Sequence, residues 1–344
     1  MNAESNKHKA PSLEEVRLTA ARLAPYIRMT PAFHWSGDTV ASRLGADAEL
    51  FLKLELFQRT GTFKVRGAVN NALDLSADQL ARGITAMSSG NHAIAAAYAA
   101  RCVNTSAKVV MQASANPARI EIARNLGAEI LIAENGPIGF RMVEEIVEQE
   151  GRTFIHPFEG FRVTEGTGTC GLELHNAVEG LDAVVVPIGG GGLCSGIGVV
   201  TKLLSSKCKV YGVEPEGAAV MQKSLAAGSA QSLTELSTIA NSLAPPFTTD
   251  YCFSMCERSL DDLVLVSDDE LAAAAAILFE HGKLAVEPAG AATTAAAFGP
   301  LAERLRGKRV AAIVCGSNID IDGFAGLVKR GSDGLARGLL PTRP

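Results

Sequence analysis

The chain has 344 residues, 47% of them hydrophobic and 20% charged, a globular composition with ample material for a large core. A formal net charge of -5, with both signs spread along the chain, excludes a basic nucleic-acid stripe and an acidic tail. No apolar run approaches the length of a membrane span, and Met1 to Ala10 lack the apolar stretch of a secretory signal, so residues 1–10 read as a disordered tail.

Short apolar runs alternate with helical patterns, which predicts an α/β fold. Val109-Val110-Met111 reads as a buried strand. Asn116-Pro117 follows as an N-cap and a first-turn proline, and the helix runs towards Leu126 and stops at Gly127. Ile130-Leu131-Ile132 is the next strand of what should be a right-handed βαβ unit. Ala183 to Ile188 is a strand running into Gly189-Gly190-Gly191-Gly192, and Val210 to Val213 is another. Ser267 to Glu270 forms a capping box for an alanine-rich helix reaching about His281. Val310 to Val314 is a late strand ending in Cys315-Gly316-Ser317-Asn318. The seven cysteines show no paired framework, which predicts reduced thiols and a cytoplasmic protein; Cys252 and Cys256 lack the companions that a zinc site needs.

Ligands of open α/β sheets gather at the carboxyl ends of strands. Three segments fit such positions: Ser88 to His92, Gly189 to Gly192, and Cys315 to Asn318. Four consecutive glycines after a buried strand are costly for a mere turn. Their amides, with a helix start behind them, suit a phosphate. The dinucleotide pattern G-x-G-x-x-G fails because Ser195 stands where its last glycine belongs, and no P-loop sequence exists. In Gly61-Thr62-Phe63-Lys64-Val65-Arg66-Gly67-Ala68 one lysine stands among aromatic and aliphatic neighbours. Burial would lower its pKa and ready the amine for Schiff-base chemistry, although a lysine taken alone is usually a solvated surface charge. Ser88-Ser89-Gly90-Asn91-His92 reads equally as a carboxylate cradle or as an ordinary helix cap.

Together these segments resemble the fold-type II pyridoxal-phosphate enzymes (tryptophan synthase β-like), and within them the threonine/serine dehydratase and serine racemase branch. Thr62-Phe63-Lys64-Val65-Arg66-Gly67-Ala68 is similar to that branch's Ser-Phe-Lys-x-Arg-Gly-Ala, and the other motifs follow in the family's order. Val65-Arg66 after the lysine differs from the Lys-Asp-Arg usual in the sulfhydrylase branch. The resemblance implies two domains, each with a twisted, mostly parallel sheet flanked by helices. Residues 1–82 and 155–344 would form the large cofactor domain, and 83–154 the small substrate domain. It implies a homodimer acting on a small amino acid, with no nucleic-acid or membrane partner.

By the same resemblance, Lys64 would carry pyridoxal 5'-phosphate as a Schiff base and take the Cα proton. Phe63 would pack near the ring, Asn91 would bond its hydroxyl, and Cys315 would face its nitrogen. Gly189, Gly190, Gly191, Gly192 and Leu193 would hold the phosphate, and Glu287 would support the ring region. Ser88, Ser89, Gly90, Asn91 and His92 would hold the substrate carboxylate. The implied reaction is loss of water from a 3-hydroxy L-amino acid, giving a 2-oxo acid and ammonia. The substrate is of the threonine/serine type, or bulkier, such as phenylserine. Ser89 matches the second acid/base of the racemase, so racemisation is one alternative and 3-hydroxyaspartate dehydration another.

The sequence also departs from the family's pattern. Glu214 and Ala218 match two positions of a metal-binding segment, but Val220 replaces its Asp and offers no oxygen, which argues against a divalent cation. Asn241 stands where the family usually has Asp, which is expected to alter the polar environment near the ring, and Glu159-Gly160 and Thr167 replace family residues in ways expected to reshape the substrate pocket.

Overall fold

The computed structural model describes residues 9–88 and 90–342. Among them ten strands form two sheets: β1 (Ala32–Trp35), β2 (Glu49–Leu54), β3 (Ile84–Met87), β4 (Ala107–Gln112), β5 (Glu129–Ala133), β6 (Thr153–Phe154), β7 (Ala183–Pro187), β8 (Lys209–Pro215), β9 (Asp262–Val266) and β10 (Arg309–Val314). The larger sheet has the order β1-β2-β10-β7-β8-β9, parallel throughout except for the antiparallel edge strand β1. The smaller sheet has the order β5-β4-β3-β6 and is entirely parallel.

Parallel sheets need cover on both faces. Val184, Val185 and Val186 of β7 and Val310 to Val314 of β10 are accordingly buried without alternation. The helix Pro288–Phe298, rich in alanine, packs across β7, β8, β9 and β10. Its small side chains let the backbone lie close to the sheet.

The predicted local signals are present. The βαβ unit consists of β4, the helix Pro117–Asn125 and β5, and Asn116 Oδ1 accepts the Ala118 amide at 2.8 Å. At Ser267 the capping box is reciprocal with Glu270 and opens the helix Asp268–Glu280. The tail expected over residues 1–10 does not include Lys9 and Ala10. The Tyr251 hydroxyl donates to the Lys9 carbonyl at 3.0 Å, and Ala10 packs against a small cluster of Val199, Tyr251 and Met255. The rest of that segment, residues 1–8, lies outside the described residues. No helix among the described residues is long and apolar enough to cross a membrane.

A buried ionic network, not anticipated from sequence, anchors the helix Lys64–Ala72. Arg66 is fully buried and forks onto Glu55 at 2.7 and 2.8 Å and onto Glu173 at 2.7 and 2.8 Å. It also donates to Thr169 Oγ1 at 2.8 Å. Lys53 of β2 bonds Glu173 at 2.5 Å and the Thr30 carbonyl at 2.6 Å. Burial alone would raise the Glu55 carboxyl, but Arg66 and Lys53 outweigh it and hold its pKa at about 2. Removing one partner of such a network strands the others in a poorly solvating interior. Arg66→Ala is therefore expected to lower the unfolding free energy by roughly 3–5 kcal/mol. Urea unfolding measures this, and a loss no larger than that of an exposed pair would refute it.

Candidate active site

The carboxyl ends of both sheets open onto one cavity of about 1030 Å³. After β2 comes Lys64, after β3 come Ser88, Gly90, Asn91 and His92, and after β4 come Gln112 to Asn116. Pro157 and Phe158 follow β6, Gly190 follows β7, and Asn318 follows β10. The three segments singled out by sequence thus meet in one place. Ser89 lies outside the described residues.

Lys64 is the first residue of its helix, with Phe63 at the N-cap. Its amine donates to the Pro157 carbonyl at 2.7 Å and sits 5.1 Å from the centre of the Phe63 ring. Desolvation lowers the pKa of the amine to about 8, against smaller opposing pulls from Cys252, Cys315 and Glu287. The positive end of the helix dipole acts in the same direction as desolvation.

The glycine segment ends β7 and starts the helix Gly192–Leu204, which has no side-chain cap. The first amides of a helix have no intrahelical acceptor. Gly191 has φ +100°, a conformation L side chains rarely adopt. A Cβ at Gly190 would stand 2.5 Å from the Phe158 ring. Buried Leu193 follows, and Thr167 Oγ1 braces the loop from behind by donating to the Gly192 carbonyl at 2.8 Å. Cys252 and Cys256 lie against the same loop, with Sγ atoms 3.2 Å from the Phe158 carbonyl and 3.8 Å from the Gly191 carbonyl. An uncapped helix start behind close-packed glycines, one of which, Gly190, lines the same cavity as an amine of depressed pKa, fits a phosphorylated aldehyde.

Around this pair the polar groups are largely committed to one another. Asn91 Nδ2 donates to Glu287 at 2.7 Å and to Ser242 Oγ at 3.1 Å, while its Oδ1 accepts from Asn318 at 2.8 Å. Burial pushes the Cys315 thiol well up, so it stays protonated; it donates to the Ala289 carbonyl at 3.3 Å. His92 is buried and bonds the Ile155 carbonyl through Nε2 at 2.7 Å, and its Nδ1 has no partner. Burial, with the Lys64 charge, lowers His92 and His156 to about 3, so both rings are neutral near pH 7.

Arg119 had not been singled out. It bonds Glu287 at 2.8 Å and the Asn318 carbonyl at 2.5 and 3.0 Å, joining the small-sheet side of the cavity to the large-sheet side. One signal was available: a basic residue in the first turn of the helix Pro117–Asn125 opposes the macrodipole, and such a choice usually serves a partner.

Two sequence expectations are corrected. Neither Thr167 nor Glu159 lines the cavity: Thr167 lies behind the glycine loop, and Glu159 lines a neighbouring recess of about 480 Å³ that shares Phe247 with it. Of the departures from the family's pattern, Asn241 does line the cavity. Glu214 and Ala218 lie outside the cavity lining. Both Glu214 oxygens accept amides, from Met221 at 2.7 Å and Gln222 at 2.8 Å, and burial raises this carboxyl to about 8. Glu214 thereby serves the start of the helix Val220–Ala227.

The family model for pyridoxal-phosphate dependent enzymes matches residues 23–316. The chain belongs to this family. Its cofactor is pyridoxal 5'-phosphate, and Lys64 with the glycine loop fits that group. A phenylserine dehydratase from Ralstonia pickettii is 46% identical over 315 residues, 92% of this chain and 95% of its own. An L-threonine ammonia-lyase from Thermotoga maritima is 37% identical over 284 residues, 82% of this chain and 70% of its own. The solved structure of maize serine racemase matches with a TM-score of 0.87 at 30% identity, covering 95% of this chain and 100% of that one. The fold is the α/β fold of the fold-type II pyridoxal-phosphate enzymes.

The two neutral histidines make stability depend on pH. In the folded chain His92 and His156 stay neutral down to about 3, whereas free histidine takes a proton near 6.5. Their contribution is complete above that value and is lost as pH falls from it towards 3. Each is expected to contribute roughly 1.4 kcal/mol per pH unit to this slope. His92→Gln should flatten the slope of unfolding free energy between pH 6 and about pH 4.5, measured by urea unfolding. An unchanged slope would contradict the assignment.

Proposed function

We propose that the protein is a lyase that takes the α-proton and the β-hydroxyl from a 3-hydroxy amino acid and yields a 2-oxo acid and ammonia. One water leaves and one returns when the nitrogen is released, so the products balance the substrate. The observation that carries this reading is the Lys64 amine, held near pKa 8 in the cavity that also receives the glycine loop. The relatives support it, since a phenylserine dehydratase and a threonine ammonia-lyase share most of the chain.

When bound, pyridoxal phosphate supplies an electron sink for the bonds at Cα. Lys64 attaches it and, once free, accepts the Cα proton; a pKa close to ambient pH suits that task. The amides of Gly189 to Gly192 and Leu193 hold the phosphate through an uncapped helix start. Phe63 and Asn91 would flank the ring, and Glu287 and Asn318 fix Asn91 in turn. Cys315, a thiol kept neutral by burial, would stand at the ring nitrogen and would not keep it protonated as a carboxylate would. Ser88, Gly90, Asn91 and His92, at the start of the helix Asn91–Cys102, cradle the substrate carboxylate. His92 and His156 are neutral, so neither supplies the proton for the departing hydroxyl as an imidazolium.

The same reading divides the chain into 1–82 with 155–344 and a smaller 83–154, supported by the four-stranded sheet between Ile84 and Phe154. It places the protein in the cytoplasm, supported by seven unpaired cysteines. It makes the protein a homodimer, supported by the exposed side chains of Met29, Phe33 and Phe57 on and beside β1 and β2.

Lys64→Ala is expected to lose the visible absorbance of bound cofactor and to reduce elimination by about 10³-fold or more. Products are scored as 2-oxo acid and ammonia from serine, threonine, phenylserine and 3-hydroxyaspartate. Elimination retained in that variant would sink the reading. Light scattering on the holoenzyme should give twice the chain mass; a monomer would refute the dimer.

A further inference from the structure

We infer that a wall of three phenylalanines, Phe140, Phe158 and Phe247, selects substrates whose β-carbon carries an aryl ring. This rests on the elimination proposed above and names the side chain that the site takes.

The wall begins beside the chemistry. Lys64 donates to the carbonyl of Pro157, and the next residue, Phe158, lies with its ring against Gly190. Phe247 follows at 5.6 Å between ring centres, and Phe140 stands 6.2 Å beyond Phe247. The planes are tilted by 58° and 54°, an arrangement open to edge-to-face contact with one more ring. Phe140 and Phe247 are only half-buried, and both line the cavity that Lys64 also lines, so apolar ring surface is presented to that cavity. A methyl group, as on threonine, is too small to cover it.

Local packing holds each ring in place. Gly139 brings the helix Gly136–Glu150 so close to β3 that a Cβ there would stand 2.9 Å from Met87 Cε, and Phe140 is carried to the rim of the cavity. Phe247 is pinned by the isolated bridge to Ser232, and the neighbouring Thr248 hydroxyl donates to the Gly190 carbonyl at 2.9 Å. The two outer rings come from different units, one from the four-stranded unit and one from the six-stranded unit, and meet in a single wall. An aryl group lying on that wall would contact both.

Charge argues the same way. The polar ring in the cluster, His156, is 4.5 Å from Phe158 and 6.4 Å from Phe247, and it is neutral. Among the described lining residues the cations are Lys64 and Arg119, and Arg119 already holds the Glu287 carboxylate. A second substrate carboxylate would meet rings instead of a guanidinium.

The test measures kcat/KM of the holoenzyme for phenylserine, threonine and 3-hydroxyaspartate, with Phe140→Ala and Phe247→Ala beside the wild type. The wild type should prefer phenylserine, and each variant should lower the phenylserine-to-threonine ratio by about tenfold or more. Calorimetric binding of 3-phenylpropionate should weaken in the same variants. Phe140→Leu, of similar bulk, should also lower the ratio and serves if an alanine variant fails to fold. A wild type that prefers threonine or 3-hydroxyaspartate, or a ratio unmoved by the variants, would overturn the aryl subsite and leave the lyase standing. Elimination from none of the three would overturn the lyase reading and this one with it.

Discussion

A guanidinium without solvent access, two residues beyond Lys64, holds the candidate site in position. Arg66 cannot be left unpaired in an interior that solvates charge poorly, so its partners must come to it. Those partners are Glu55, just past the end of β2, and Thr169 and Glu173 on the helix Phe161–Ala177. Three elements are thereby locked together, and the helix Lys64–Ala72 has one available placement. Lys64 emerges at its first turn, where the dipole and desolvation both disfavour the ammonium form.

The surroundings keep that amine the group best placed to accept a proton near neutral pH. His92 and His156 have lost their basicity to burial, and Cys315 keeps its proton for the same reason. Glu287 is raised by burial, and the Arg119 charge works against that shift. Charge in the site is therefore paired or suppressed everywhere except at the position from which chemistry starts. Differences of environment among groups of ordinary intrinsic pKa produce this assignment of roles.

Phe158 links the two halves of the site. Its ring fills the space that a side chain at Gly190 would need, and the preceding carbonyl receives the Lys64 amine. The same ring is the inner member of the aromatic wall. Glycine loop, amine and aromatic wall thus converge on Pro157 and Phe158, and a shift of the segment His156 to Glu159 would be felt at all three.

The local features could be read from the chain because they depend on neighbours in sequence. The caps at Asn116 and Ser267, the strands at Val109 and Val310, and the glycines after β7 are set by short-range hydrogen bonding and by the period of apolar residues. The lysine, glycine and Cys315 motifs were legible through their order, which carried the family resemblance. What packing alone decided is which distant side chains meet. Arg119 reaches Glu287 across 168 positions, and Arg66 reaches Glu173 across 107. Phe140 faces Phe247 only because two separate sheets point their carboxyl ends at one cavity. No periodicity or spacing encodes such pairs. Each arises when apolar faces are buried and the polar groups left inside find partners in whatever lies opposite.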